Sequence, residues 1–448
     1  MVDKKAFHKY MWPIISGIVI TVVSASIMSV LMDHSSDPVG LSINVDSPLP
    51  YYVDIPMLFE ASFQDTDGNN IDKYEYDWDF GDGITQTIVG NQKIHHTYTE
   101  GFHQKVSLTV KDNGNMFGTD EIDLTISPIT YVSQFGHYGS GDKEFHVANG
   151  IAINSKGNVY VTDQVNNRIQ IFDADGGFLG QTNGPNNTEQ TEFESPHGIA
   201  IDKNDNIYIA DLGKNRMVVL DPDGNLKFEF GSFCNAASEE YCYDPDDGGP
   251  LKIGDGQFHA PYDVALDSQN NIYVTDVTSS FVQKFDSDGK FLKKWGGSGI
   301  SNGQFTSPHG IDIDGSDNVY VVDHGNNRIQ IFDSDGNWVN SFVNDSDKTF
   351  FDNPRGLTIH KNTMYVTNGG THHNVVAFDL TSASFLFEFG SYCKMDDISE
   401  CRDLDEENGG LRRGDMQFDE PHAIGVNNEG KIFVTDGFNH RIQIFSIK

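Results

Sequence analysis

Basic residues are scarce in this chain: 30 lysines and arginines stand against 66 acidic residues, a net charge of −36 over 448 residues. A surface of that sign repels nucleic acid and anionic lipid, so DNA or RNA partners are not expected. It suits an exterior protein, or one that attracts divalent cations. No nucleophile motif and no cofactor fingerprint is present. Cysteine is rare as well, with four in all. Long apolar runs are absent but for one, Met11–Met32, which carries no charge. A helix of that length crosses a hydrocarbon core of about 30 Å. Lys4, Lys5 and Lys9 precede it and Asp33 and Asp37 follow it. The positive-inside tendency then predicts a cytoplasmic tail at 1–10, a transmembrane signal anchor at 11–32 and the remainder outside the cell membrane. A cleaved signal peptide is the competing reading, and export follows from either.

What the chain has is glycine, 45 residues, and aromatics at 12% in recurring short segments, the texture of many short strands joined by tight turns. The expected fold is therefore all-β. Residues 41–127 alternate aromatic and acidic side chains through Tyr74–Phe80 and end in Gly81-Asp82-Gly83. Such alternation is that of a half-buried strand. His96-Thr97-Tyr98 and Val106–Val110 supply later strands. The W-D-F-G-D-G string followed by H-x-Y and V-x-L-x-V resembles a PKD domain, which implies a small extracellular Ig-like β-sandwich used as a spacer or adhesion module. Asp65-Thr66-Asp67-Gly68 is read as a turn, with a calcium ion as the other possibility.

From about 130 to the C-terminus a unit of about 45 residues repeats, the signature of a β-propeller. Each unit opens on a phenylalanine: Phe145, Phe193, Phe258, Phe305, Phe351 and Phe418. A second strand then ends at Asp163, Asp211, Asp276, Asp323, Asn368 and Asp436. Arg168, Arg216, Arg328 and Arg441 follow in four units, where Phe281 and Asn374 stand in the others; the Asp/Arg sets are read as structural pairs. D-x-D-G strings such as Asp173–Gly176 and Asp333–Gly336 are read as hairpin turns. The sixth unit lacks its fourth strand, and Tyr131–Gly136 is predicted to supply it, closing a six-bladed ring over 130–448. These units resemble the NHL repeat.

Two of the connections that enter a first strand are longer than the rest. They hold all four cysteines, and the local pairs Cys234–Cys242 and Cys393–Cys401 are the economical connectivity for an exported protein. Both inserts are acidic, with Asp244, Asp246, Asp247 and Asp255 in one and Asp403, Asp405, Glu406, Glu407 and Asp415 in the other. They are predicted to overhang one rim as stapled flaps. At that rim the variable position of F-x-x-P-x-G reads Asn149, His197, Tyr262, His309, Arg355 and His422. Histidine in alternate blades places three imidazoles around the channel mouth, the ligand set of a catalytic zinc ion with one open position. An ordinary variable rim accounts for the same residues.

The P-H segments at Pro196-His197, Pro308-His309 and Pro421-His422 also resemble the lyase domain of peptidylglycine α-amidating enzymes. That resemblance implies zinc on these histidines, a structural calcium ion, and cleavage of peptidyl-α-hydroxyglycine. Thr278 and Asp163 stand where that family has its catalytic tyrosine and arginine. Two functions are thus expected: a surface module that binds an extracellular protein, peptide or glycan through its top face, or a metal-dependent exterior lyase or hydrolase. Sequons at Asn186-Asn187-Thr188 and Asn344-Asp345-Ser346 permit glycosylation.

Overall fold

The computed structural model describes residues 39–45, 50–64, 73–184, 192–234, 242, 254–346, 348–393 and 414–448. The apolar run Met11–Met32, the turn at Asp65–Gly68, the first sequon, Cys401 and most of both inserts lie outside these residues. Among the described residues no helix is long and apolar enough to cross a membrane. The chain divides into two compact units.

In the smaller unit one sheet joins Val39–Val45, Met57–Gln64 and Lys93–His96. In a second sheet Glu75–Asp79 lies between Phe102–Asp112 and Thr85–Val89. The predicted alternation holds: Tyr76 and Trp78 are buried and Asp77 and Asp79 are not. Trp78 and Phe80 meet Phe59 of the first sheet with ring centroids 6.1 and 5.2 Å apart. Gly81 is required where it stands. Its φ is +82°, and a Cβ there would lie 2.5 Å from the Lys105 carbonyl oxygen. Asp82 next to it meets buried His96 Nε2 at 2.8 Å.

The larger unit is a closed ring of six four-stranded sheets, described here as blades 1 to 6 from the N-terminal end. Their innermost strands are Ala148–Ile153, Pro196–Ile201, Pro261–Leu266, Pro308–Ile313, Pro354–His360 and Pro421–Val426. The second strands, from Val159–Asp163 to Lys431–Asp436, are buried almost throughout, because each blade is covered on both faces by its neighbours. Six hydrophobic clusters follow the six seams. Tyr208 and Val219 of blade 2 pack on Val264 and Phe285 of blade 3, for example. Phe433 and Ile442 of blade 6 pack on Val161 and Phe172 of blade 1. All six unit-opening phenylalanines are buried.

Closure follows the predicted route, with the strand spanning Ile129–Phe135. It pairs antiparallel with Arg441–Ile447, setting Ile442 opposite Phe135 and Ile444 opposite Ser133. The first and last strands of the propeller therefore share one sheet, and blade 6 has its full four strands.

The Asp/Arg sets are structural pairs, as expected. Arg168, Arg216, Arg328 and Arg441 each place Nε 2.7 to 2.8 Å from the second-strand carboxylate. Blade 5 replaces the ion pair with a neutral one, Asn368 Nδ2 donating to Asn374 Oδ1 at 2.9 Å. The D-x-D-G strings are turns, with Gly176 and Gly336 donating back to Asp173 and Asp333. Cys234–Cys242 is a disulfide, and Cys393 is disulfide-bonded too. The second sequon lies in an ordered loop. Asn344 donates to the Phe351 carbonyl and accepts from the Phe350 and Phe351 N–H groups.

Arg441 also donates to the carbonyls of Gly414 and Gln417, and it is buried. Replacing it by methionine strands the Asp436 carboxylate in the sheet that closes the ring. The expected cost is about 3–5 kcal/mol of unfolding free energy in a denaturant titration. A loss below about 1 kcal/mol contradicts the pairing described here.

Candidate binding site at the propeller mouth

The position of each rim residue follows from strand register. The first residue of every inner strand lies opposite the end of the second strand, as Ala148 opposite Asp163, Pro196 opposite Asp211 and Pro421 opposite Asp436. A register shift follows at once in all six blades. Asn149, His197, Tyr262, His309, Arg355 and His422 all fall within it. A bulge re-aims the side chain it carries, and six equivalent bulges bring six side chains to one end of the ring. Glycine or alanine comes next in five blades and Asp263 in blade 3. A Cβ on Gly150 would lie 2.2 Å from the His197 carbonyl oxygen, and one on Gly356 2.4 Å from that of His422. Threonine hydroxyls fix the same carbonyls: Thr162 donates to His197, Thr275 to His309 and Thr367 to His422, at 2.7 to 3.0 Å.

The three histidines come to one mouth, but not as an open triangle. Tyr262 stands between two of them, its ring centroid 3.7 Å from that of His197 and 4.2 Å from that of His309. His309 also meets His324 at 4.0 Å. His197 donates from Nδ1 to the Tyr262 carbonyl at 3.1 Å. The Nδ1 atoms of His309 and His422 are buried with no hydrogen-bond partner. None of the three Nε2 atoms is among the buried unpartnered atoms, which leaves that nitrogen as the one each ring turns to accessible space. Gly437 makes the pose of His422 possible, since a Cβ there would meet Nδ1 at 2.0 Å.

Burial sets the charge of this ring. It pushes the His197 imidazole down to about 3 and those of His309 and His422 well below their ordinary value. Tyr262 is pushed up to about 12, again by burial. The imidazoles are therefore neutral, and beside them stands the ion pair of Arg355 and Glu420. The positive field of Arg355 reaches Tyr262 and five histidines, His197, His309, His324, His373 and His422. Among the described residues no group of three His, Cys, Asp or Glu side chains is arranged, as it stands, to hold a metal ion.

Sequence reasoning missed His324, His373 and Glu420. His324 Nδ1 donates to the Pro354 carbonyl, and His373 Nδ1 accepts from the Glu420 N–H at 2.9 Å. A signal for His324 did exist. The residue after each second-strand terminus reads Gln164, Leu212, Val277, His324, Gly369 and Gly437. Below the mouth the axis holds a cavity of about 260 Å³ lined by aliphatic side chains and two carboxylates, Asp263 and Asp312. Burial pushes them up to about 7 and about 6. Asp263 accepts from the Val264 and Ile311 N–H groups.

Comparison with known proteins agrees with this architecture. Residues 52–126 match the PKD domain, residues 305–332 and 418–445 the NHL repeat, and residues 111–232 the SMP-30/Gluconolactonase/LRE-like region. The chain thus carries a PKD domain and NHL repeats. Protein lin-41 of Caenorhabditis elegans is 49% identical over 47 residues, 10% of this chain and 4% of that protein. NHL repeat-containing protein 3 of Homo sapiens is 29% identical over 154 residues, 30% of this chain and 44% of that protein. The chain spans less than half the length of these curated relatives. A solved Bacteroides thetaiotaomicron protein of unknown function is 15% identical, covers 91% of this chain and 98% of its own, and has a TM-score of 0.50. That likeness shows the fold alone.

The channel carboxylates give the fold a pH dependence. Asp263 is raised from 3.8 to about 7, so it stays protonated in the fold where the unfolded chain ionises. Its contribution to stability is complete below about pH 4 and is lost as pH rises to about 7. Thermal melts of the wild type and Asp263→Asn from pH 4 to 8 should show the wild type losing Tm relative to the variant across that window. A constant difference between the two rules this out.

Proposed function

We propose that the protein is an exported, membrane-anchored binding module whose ligand seats in the propeller mouth. The observation that carries this reading is the convergence of six register-equivalent side chains, aimed by six bulges, on one partly sealed polar site. The partner is an extracellular peptide, protein or glycan that presents acceptor oxygens, such as a carboxylate, to the Arg355 guanidinium. The Arg355 side chain keeps 22% of its surface exposed, enough to be met from outside. Neutral imidazoles around it add donors and acceptors without repelling it. The acidic chain as a whole makes nucleic acid an unsuitable partner. Support for export comes from the apolar Met11–Met32 run with its preceding lysines and from the Cys234–Cys242 bridge, since disulfides persist in oxidising compartments.

The alternative is a zinc-dependent lyase or hydrolase of the peptidyl-α-hydroxyglycine amidating type, with His197, His309 and His422 as ligands. It is favoured by the alternate-blade spacing and by rings that bury Nδ1 while leaving Nε2 free. His197 has a further fitting feature, an Nδ1–H bonded to a carbonyl. Against it stand the Arg355 charge and Tyr262 between two of the ligands. Zinc bound there would supply a Lewis acid and an activated water.

Two measurements separate the readings. Arg355→Met should weaken binding to ligands found on a peptide and glycan array by at least about tenfold when the full-length chain in detergent is the probe. Array binding that ignores Arg355 contradicts the binding reading. Metal analysis of the purified chain decides the alternative. One zinc per chain, lost in the triple His→Ala variant, supports the enzyme, and a chain without zinc rules it out; the same measurement reads calcium.

A further inference from the structure

The mouth is lopsided, and its open side is apolar. The second residue after each second-strand terminus forms the tip of the loop that follows. Its backbone N–H donates to the carbonyl of the residue after the unit-opening phenylalanine in blades 1, 2, 4, 5 and 6. In blades 2, 4 and 5 that tip is Gly213, Gly325 and Gly370, where a Cβ would come within 2.6 Å of Glu194, Thr306 and Asp352. Blade 3 has Thr278. Blades 1 and 6 instead carry Val165 and Phe438, which are 49% and 50% exposed. These two blades are neighbours, because the ring closes between them.

The patch is continuous with the mouth. Val165 is hydrogen-bonded through its backbone to His146. Tyr138, 63% exposed, lies with its ring 5.0 Å from those of both His146 and His440. The Phe438 ring centroid is 6.0 Å from that of His422. The rim residue of blade 1 is Asn149, the smallest of the six, and it is held aside by donating to Gln164 Oε1 at 3.0 Å. Tyr262 stands across the ring in blade 3, while Arg355 lies in blade 5, next to blade 6, and pairs with Glu420 there.

We propose, building on the mouth reading above, that the ligand is an amphipathic anion. Its anionic head is held at Arg355, and an apolar, ring-sized group next to the head seats on Val165 and Phe438 over the seam of blades 6 and 1. Charge complementarity selects the head: on a chain of net charge −36, an anion is retained only where a cation meets it, and the Arg355 guanidinium, already paired with Glu420 through Nη2, keeps 22% of its side chain exposed to meet one. Exposed aromatic and branched aliphatic side chains select the tail. Their presence at a loop tip where three sister blades have glycine marks the patch as more than scattered surface apolarity.

Propionate and 3-phenylpropionate probe this directly. Their affinities for the full-length chain in detergent micelles would be read by ligand-observed NMR, with empty micelles as reference. The aromatic acid should bind about tenfold more tightly than propionate, from the apolar area it buries. The double variant Val165→Thr, Phe438→Thr should lose most of that preference and keep its affinity for propionate. Threonine already stands at this tip in blade 3, so the variant is compatible with the fold. Arg355→Met should abolish binding of both acids. Equal affinity for the two acids, or a preference that survives the double variant, overturns the apolar seat while leaving the mouth intact. Binding that ignores Arg355→Met, or no binding of either acid, overturns the mouth reading and this inference with it.

Discussion

In every blade the side chain that ends the second strand accepts a hydrogen bond from the connection entering the first. Asp163 takes the N–H of His146, Asp211 that of Glu194, Asp276 that of His259, and Asp323 that of Thr306. Asn368 and Asp436 do the same for Asp352 and Asp419. These acceptors are buried, and a buried carboxylate persists only where donors surround it. Four have an arginine, while Asp276 is satisfied by the N–H groups of His259, Ala260 and Ser279 instead. The bond pins the start of each inner strand against the second strand. The register shift that follows is thereby fixed, and with it the direction of all six rim side chains.

The mouth inherits an electrostatic character at odds with the rest of the chain. A net charge of −36 coats the exterior, yet the mouth holds neutral imidazoles, a phenol and one guanidinium paired with one carboxylate. Burial produces this contrast, since an imidazolium ring among other imidazoles and an arginine would be desolvated and repelled at once. The site is therefore built for directional hydrogen bonds around the Arg355–Glu420 pair. The acidic channel below it keeps Asp263 and Asp312 protonated up to about 7 and about 6, so the axis does not oppose the mouth with fixed negative charge under acidic conditions.

Much of this was legible in the sequence because the chain repeats. Phenylalanine, second-strand acid and arginine recur at matching places, so one blade's logic could be applied to all, including the missing strand supplied by Ile129–Phe135. Periodicity also placed Asn149, His197, Tyr262, His309, Arg355 and His422 on one rim. What lay beyond reach were contacts between blades, where partners are distant in sequence and no repeat encodes them. The stacking of Tyr262 on both His197 and His309, the pairing of Arg355 with Glu420, and the hold of His373 on Glu420 are all of this kind. A triangle drawn from spacing alone left Tyr262 and Arg355 out of the space between its corners.

The account stands or falls on the mouth being a partly sealed ring of neutral imidazoles beside Arg355. Side-chain 15N NMR of histidine-labelled protein, titrated in pH, measures this ring by ring. His197, His309 and His422, assigned by single substitution, should remain neutral at pH 5, where an exposed histidine is protonated. Protonation of these three near their ordinary value of 6.5 would contradict the account, because it would place them in open solvent rather than in a built site.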